Sequence, residues 1–292
     1  MENITAKVSC FARAYHTRNN TTHIFADTAV GLLLGEDYDR IAQSMTQGVG
    51  FFLTGFKGTT EEALRLIVDR QLSPSVLGRS VYCESMLENE VRLGCRQYVI
   101  FASGYDTFAI RNGNAALSVY ELDLPEVLAD KEQRIENAGL TSRAIYVPCD
   151  LSDSSWKDQL INSGYRHDQK SFGSLLGISY YLGKDEFRSL LATWGGMICE
   201  GSAICFDYQS REDSPEMTTN QALAQGAGER MKARYDGREM EALLAECGFL
   251  VYEHLDHVEM TRQYFSDYNQ RNPEHSMKAP AGVCYILAVR KK

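Results

Sequence analysis

Apolar and polar positions change their period about a third of the way along the chain. Before that point apolar residues recur at helical spacing, and residues 59–62 carry a capping box ahead of a helix with Leu64 and Ile67 on its apolar face. We expect Pro74 to end this helix, because proline lacks the backbone donor that a helix interior needs. The pattern therefore predicts a helical N-terminal unit over residues 1–95.

Short apolar runs then alternate with helical segments. The predicted helices begin at Pro125, after Asp153 and at Lys184, and each ends near a glycine. This alternation predicts an α/β fold, with a mainly parallel sheet and helices on both faces. Two late apolar runs, at 248–254 and 283–289, suit a sheet closed by an antiparallel strand. A charged segment at about 209–237, rich in Ser, Gly and Gln, is predicted to be a lid over the carboxyl edge of the sheet.

Three successive predicted strands end in small or acidic residues. Ala102, Ser103 and Gly104 follow the first strand, Glu121 and Asp123 close the second, and Asp150 follows the third. Small residues after a strand let a ligand approach the backbone, and an acid about 20 residues further on can hold ribose hydroxyls. Asp123 lies 19 positions beyond Gly104. The alternative is that Asp123 and Asp150 are helix N-caps.

Composition and charge argue against nucleic acid and membranes as partners. The chain has 292 residues, is 44% hydrophobic and carries a formal net charge of −9, which argues against a surface built to follow phosphate backbones. No apolar run approaches the ~18 residues that a membrane-spanning helix needs, and the polar start lacks the order of a signal peptide. We expect a cytoplasmic protein that binds neither nucleic acid nor membrane.

Cysteine and histidine spacing indicates no metal site. The eight cysteines form no C-x-x-C pair, and several lie in apolar strand patterns, so they are expected to be reduced core residues. His254 and His257 resemble a ligand pair, but no Cys or Glu lies in register with them. A surface or core role is expected for both.

Together with the Leu-Gly-Arg-Ser stretch at residues 77–80, this arrangement resembles the leucine carboxyl methyltransferase family, in particular its bacterial branch of S-adenosylmethionine-dependent O-methyltransferases. The resemblance covers nearly the whole chain, through residues 12–16, 24–27, 102–111, 120–125, 181–182 and 201–208. It implies a Rossmann-like class I methyltransferase fold with a seven-stranded, mostly parallel sheet. Residues 1–95 would then form a helical cap that contributes to the acceptor pocket, and residues 96–292 the cofactor-binding core with its lid.

The resemblance also implies roles for individual residues. Arg79 would grip the methionine carboxylate of S-adenosylmethionine, the 102–104 turn would pass beneath the cofactor, and Gly177 would be a further cofactor-binding residue. Asp123 would hold the ribose, with Glu121 contacting the ligand or bracing the loop. Asp150 and the backbone of Leu151 would meet the adenine. A surface position is the alternative for Arg79.

Several positions depart from the family pattern, and two of them bear on the predicted cofactor site. Many relatives have glycine where Ala102 stands, so we expect a backbone there that accommodates a methyl group. The family often has glutamate where this chain has Leu176, and that glutamate commonly lies near the methionine moiety.

The expected reaction is methylation of a carboxylate or hydroxyl oxygen on a small molecule, with S-adenosylhomocysteine as the second product. A hydroxyl acceptor benefits from a general base, for which His16 is the candidate, with a structural histidine as the alternative. One competing interpretation is a nicotinamide-dependent oxidoreductase, which would show a fuller glycine fingerprint. The other is a non-catalytic S-adenosylmethionine-binding protein, which Leu176 supports. The sequence leaves the oligomeric state open.

Overall fold

A computed structural model describes residues 4–213, 215–226, 228 and 230–291. Its N-terminal part is helical. The helices are α1 (Ile4–Asn19), α2 (Val30–Leu34), α3 (Asp37–Gln47), α4 (Val49–Phe52), α5 (Thr60–Ile67) and α6 (Ser73–Arg92), with a π-turn at Val68–Leu72 between the last two.

The helical path through α5 and α6 is continuous. Thr59 and Glu62 form the predicted capping box at the start of α5. The prediction that Pro74 ends this run is wrong. Pro74 lies in the first turn of α6, where a missing backbone donor costs little. The N–H of Ser73 reaches back to the carbonyl of Val68, a five-residue step that widens the turn ahead of the proline ring.

Seven strands form one sheet. They are β1 (Gln97–Phe101), β2 (Ser118–Asp123), β3 (Ala144–Pro148), β4 (Ser171–Leu175), β5 (Ala203–Gln209), β6 (Phe249–Leu255) and β7 (Val283–Arg290). Their order is β3-β2-β1-β4-β5-β7-β6, with β7 antiparallel to both of its neighbours and the other pairs parallel. The predicted Rossmann-like fold with its closing antiparallel strand is confirmed.

Helices connect the strands and cover the sheet. They are α7 (Phe108–Arg111), α8 (Pro125–Asn137), α9 (Trp156–Asn162), α10 (Lys184–Met197), α11 (Pro215–Gly226), α12 (Gly237–Glu246), α13 (His257–Met260) and α14 (Ser266–Arg271), with a π-turn at Thr261–Phe265 and a 3₁₀ turn at Pro273–His275. The predicted starts at Pro125 and Lys184 are confirmed. Helix α10 runs through Gly195 and Gly196, where its end was predicted, and ends at Met197.

The core lies on both faces of the sheet. Strands β1, β4 and β5 are buried along their whole length, as expected for central strands covered by helices on each side. On one face, Trp156 and Trp194 both meet Phe101 edge-on, with ring centroids 5.3 Å apart in each pair. This packing fixes the end of β1, from which the candidate site begins. All eight cysteines are free thiols, and six of them are buried.

Candidate functional site

A cavity of about 420 Å³ opens at the carboxyl edge of the sheet, within the size range of small-molecule sites. Four parts of the chain form most of its wall: the turn after β1, the end of β2, the loop after β4, and one face of α1. Residues that line it and bear on function are Arg13, Arg79, Ala102, Ser103, Gly104, Asp123, Leu176 and Gly177. The structure therefore brings six of the sequence-predicted site residues to one cavity.

The turn after β1 is held in a left-handed backbone conformation. Gly104 has a φ of 48° and Ala102 a φ of 51°. The expectation that the backbone at Ala102 suits a methyl group is wrong, because an L-residue at this φ carries about 1–2 kcal/mol of strain. The hydroxyl Oγ of Ser103 is buried and has no hydrogen-bond partner among the described residues. Backbone strain and an unpaired buried polar atom are both features that recur at functional segments.

Asp123 ties the ends of β1 and β2 together. Its Oδ2 accepts a hydrogen bond from the Gly104 N–H at 2.7 Å, and its Oδ1 accepts one from the Leu124 N–H at 2.8 Å. The alternative role as N-cap of α8 is not observed, because Leu124 occupies that position and no side chain caps the helix. Burial raises the pKa of Asp123, while the two N–H groups act in the opposite direction.

Arg79 projects from α6 to the same cavity, so the alternative of a surface arginine is wrong. Its guanidinium donates to the hydroxyls of Tyr180, at 3.3 Å, and Ser9, at 3.2 Å. Among the described residues it forms no ion pair with a carboxylate. Burial acts to lower its pKa, but the nearby Tyr180 and Asp207 produce a net rise, so the side chain stays charged. It is a cation with forked donors available to an anionic ligand group.

Gly177 makes room for that arginine. It has a φ of 72°, and a Cβ atom there would lie 2.6 Å from the Nη1 atom of Arg79. Its N–H donates to the Oδ1 atom of Asp207 at 2.6 Å. Asp207 is fully buried, and its Oδ2 atom lacks a hydrogen-bond partner among the described residues. The Asp207 carboxylate, in β5, thus holds the loop after β4 in place.

Glu121 does not reach the cavity wall. It is fully buried and forms an ion pair with Lys131 of α8, which is also fully buried. Burial raises the pKa of Glu121 to about 7, opposed mainly by the charge of Lys131. Its position outside the cavity wall does not fit the expected contact with the ligand, and the side chain instead braces β2 against α8.

Asp150 and Leu151 lie at the same sheet edge but outside the wall of this cavity. Asp150 is exposed, and its Oδ1 accepts from the N–H and the hydroxyl of Ser152, which lowers its pKa. It does not cap the next helix, because α9 begins later and Ser155 precedes it. The strand before Asp150 is tied to β2, since the Cys149 N–H donates to the Asp123 carbonyl at 2.9 Å. Contact with an adenine stays a prediction.

His16 does not line the cavity, and this position contradicts the prediction that it acts as a general base. The ring is fully buried, and its Nε2 atom accepts the Ile24 N–H at 3.0 Å. It packs beside His23 and Tyr268, with centroid distances of 5.6 and 5.1 Å. Burial lowers its pKa to about 3, with His23 as the next cause. His16 is therefore a structural histidine, which was the alternative to a general base.

Helix α1 supplies wall residues that sequence reasoning missed. Thr5, Ser9 and Arg13 recur every four residues and line the cavity with one helix face. Arg13 forms an ion pair with Asp27, with 3.3 Å between Nη1 and Oδ2, and donates to the Tyr105 carbonyl at 2.9 Å. The sequence signal that could have identified these residues is the four-residue spacing of small and polar side chains along α1.

A second cavity of about 220 Å³ adjoins the first, and the two share Thr5, Ser9, Val76, Arg79, Gly177 and Tyr181 in their walls. The rest of its lining is mainly apolar, with Gln71 and Ser75 as polar members: Ile4, Val8, Met45, Gln71, Leu72, Ser75, Tyr180, Ala224 and Met231. In the described part of the chain, Arg79 is the single charged residue that lines the second cavity. Residues of the predicted lid contribute to both walls, through Ala224 and Met231 here and Arg230 and Lys232 in the first.

The described residues contain no cluster of three or more metal-ligating side chains. Nor does any described helix combine the length and apolar character that crossing a membrane requires.

Comparison with known proteins identifies relatives. A model described as leucine carboxyl methyltransferase matches residues 6–195. The chain is 34% identical to a Bacillus subtilis (strain 168) protein named "Putative S-adenosyl-L-methionine-dependent methyltransferase YktD", over 99% of this chain and 98% of that protein. A Frankia alni protein of the same description is 33% identical over 45% of this chain and 48% of its own length.

Solved structures share the fold. A DUF574 family protein from Streptomyces avermitilis has a TM-score of 0.61 and 12% identity, covering 99% of this chain and 97% of that chain. A protein from Thermobifida fusca has a TM-score of 0.57 and 14% identity, covering 98% and 94%.

Proposed function

Because the chain belongs to the leucine carboxyl methyltransferase family and is an S-adenosylmethionine-dependent methyltransferase, we propose that it methylates an oxygen atom of a small, mainly apolar acceptor. The first cavity would hold the cofactor and the second the acceptor. Arg79, which lines both, is the observation that carries the proposal, because it places a charged guanidinium where the two ligands would meet.

The first cavity fits S-adenosylmethionine chemically. The Arg79 guanidinium, which has no carboxylate partner among the described residues, offers forked donors for the methionine carboxylate. The left-handed turn at Ala102 and Gly104 lets a ligand approach the backbone closely. Each Asp123 oxygen accepts one hydrogen bond within the chain and keeps a lone pair for ribose hydroxyls. Asp150 and the Leu151 backbone are proposed for the adenine.

When bound, S-adenosylmethionine supplies a methyl group on a positively charged sulfur, which an oxygen nucleophile can take up. The chain's own contribution is then to position the acceptor and exclude water. The apolar wall of the second cavity would exclude water, and residues of the predicted lid segment would cover it.

The walls favour a carboxylate acceptor. Among the described residues, the second cavity has no His, Asp, Glu or Lys in its lining, and His16 is buried elsewhere. Burial also raises the pKa of Tyr180 well above its usual value, which disqualifies that hydroxyl as a base. A carboxylate is ionised at neutral pH and needs no base, whereas a hydroxyl must lose a proton.

The test is product analysis with methyl-deuterated S-adenosylmethionine and a panel of single-ring and short aliphatic carboxylic acids with their matched alcohols and phenols. We expect a labelled product that alkali cleaves, as it cleaves a methyl ester. An alkali-stable labelled ether would replace the carboxylate by a hydroxyl acceptor. S-adenosylhomocysteine binding without any labelled product would favour the non-catalytic alternative.

A further inference from the structure

Gln71 lies in the wall of the second cavity at an irregular point of the backbone. It belongs to the π-turn Val68–Leu72, which separates α5 from α6. Such turns widen a helix and recur at functional sites, because they move one side chain out of the regular helical register. Here the neighbours of Gln71 in the cavity wall are Leu72, Ser75 and Val76.

The amide oxygen of Gln71 is unsatisfied. Its Oε1 atom is buried and has no hydrogen-bond partner among the described residues. An unpaired buried acceptor is unfavourable, so such groups usually have a partner in the chain, in an ordered water or in a ligand. The surrounding wall is mainly apolar, and Arg79 is the single charged member of its described lining.

We propose that Gln71 selects the methyl acceptor by accepting a hydrogen bond from an O–H or N–H group on it. This inference rests on the proposed function, since it assigns the second cavity to the acceptor. The acceptor class is then a small apolar molecule, of about one ring, that carries a hydrogen-bond donor apart from its reacting oxygen. The size follows from the cavity of about 220 Å³, which is below the range of about 300–1,000 Å³ for drug-sized ligands.

The two polar ends of the acceptor would meet residues eight positions apart on one helical path. Gln71 and Arg79 both line the second cavity, and eight residues correspond to about 12 Å along a regular helix at ~1.5 Å per residue. The proposed acceptor would therefore carry its donor and its oxygen nucleophile at opposite ends of a ring.

Phenol and toluene are matched probes, because both are single rings and phenol alone has a donor. Their dissociation constants are measured by ligand-observed NMR or calorimetry on the free protein and on protein saturated with S-adenosylhomocysteine. We expect the wild-type protein to bind phenol more tightly than toluene. In Gln71→Leu and Gln71→Met the ratio of the two constants should shift toward toluene by roughly three- to tenfold, the size of one hydrogen bond.

Two variants are used so that one folding failure does not decide the result, and thermal unfolding identifies the folded one. An unchanged phenol-to-toluene ratio in a folded variant overturns the role of Gln71. So does the absence of phenol binding to wild-type protein at about 10 mM, which would detect binding roughly tenfold weaker than a millimolar Kd. Failure of S-adenosylhomocysteine to bind overturns the proposed function instead, and the probe titration on the free protein still decides the role of Gln71.

Discussion

The guanidinium of Arg79 lies against the backbone of Gly177, so close that a Cβ atom on the glycine would stand 2.6 Å from Nη1 and 2.7 Å from Cζ. The N–H of the same glycine is held by Asp207. The side chain proposed to bind the cofactor carboxylate therefore depends on a glycine in another element for its position.

Gly177→Ala should weaken binding of S-adenosylhomocysteine by about tenfold, or ~1.4 kcal/mol, because the new methyl group displaces the guanidinium. Calorimetry measures the effect. The matched control is Gly139→Ala, since Gly139 also has a positive φ, 64°, but has no atom within 4 Å of an added Cβ. That control should lose stability without losing affinity, and an equal affinity loss in both variants would contradict the account.

Ala102→Gly should stabilise the protein by about 0.5–1 kcal/mol. The left-handed strain of ~1–2 kcal/mol at alanine is removed, and the entropic cost of glycine, ~0.5–1 kcal/mol, is subtracted from that gain. The measurement is urea unfolding, with Ala129→Gly on the exposed face of α8 as the control. The control should lose about 1 kcal/mol. A loss at both positions would show that Ala102 is unstrained.

Asp123→Asn and Asp150→Asn should each weaken S-adenosylhomocysteine binding by about tenfold, because the amide is a poorer acceptor for hydroxyl and amino donors. Asp153→Asn is the control, since its carboxylate accepts from the Ser155 N–H in a similar short turn. If Asp150→Asn behaves like the control while Asp123→Asn does not, the adenine lies elsewhere.

Stability should fall as the pH drops from about 6.5 toward about 3, in part through His16. The buried ring has a pKa lowered from 6.5 to about 3, so in this window the unfolded chain binds a proton that the folded chain does not. Unfolding free energies across the window should be less steep in His16→Gln, which keeps an acceptor for the Ile24 N–H. Equal slopes would mean that His16 is protonated in the fold.

Much of the sheet edge could be predicted from sequence, because strand ends and the spacing of Gly104 and Asp123 are local features. The positive φ of Ala102 could not, since it belongs to a turn that is held by a contact 19 residues away, between Asp123 and the Gly104 N–H. The exclusion of His16 and Glu121 from the cavity depends on long-range packing against Tyr268 and Lys131. A sequence pattern gives the order of such groups along the chain but not which way they face.

The same limit applies to the continuation of the helix past Pro74 and to the contribution of Asp207. Pro74 ends a regular helix in the sequence pattern, but here the π-turn places it in a first turn, where proline is tolerated. Asp207 lies 30 residues beyond Gly177 and meets it only because β4 and β5 are neighbours in the sheet.

The most direct test of the account is titration of S-adenosylhomocysteine into wild-type protein, Arg79→Lys and Arg79→Met. We predict micromolar or tighter binding to wild type, with a rise in melting temperature, and affinity at least about tenfold weaker in both variants, because lysine cannot reproduce the forked contact. No heat and no thermal shift with millimolar ligand, or equal affinity in wild type and Arg79→Lys, would contradict the assignment of the first cavity to the cofactor with Arg79 as its anchor.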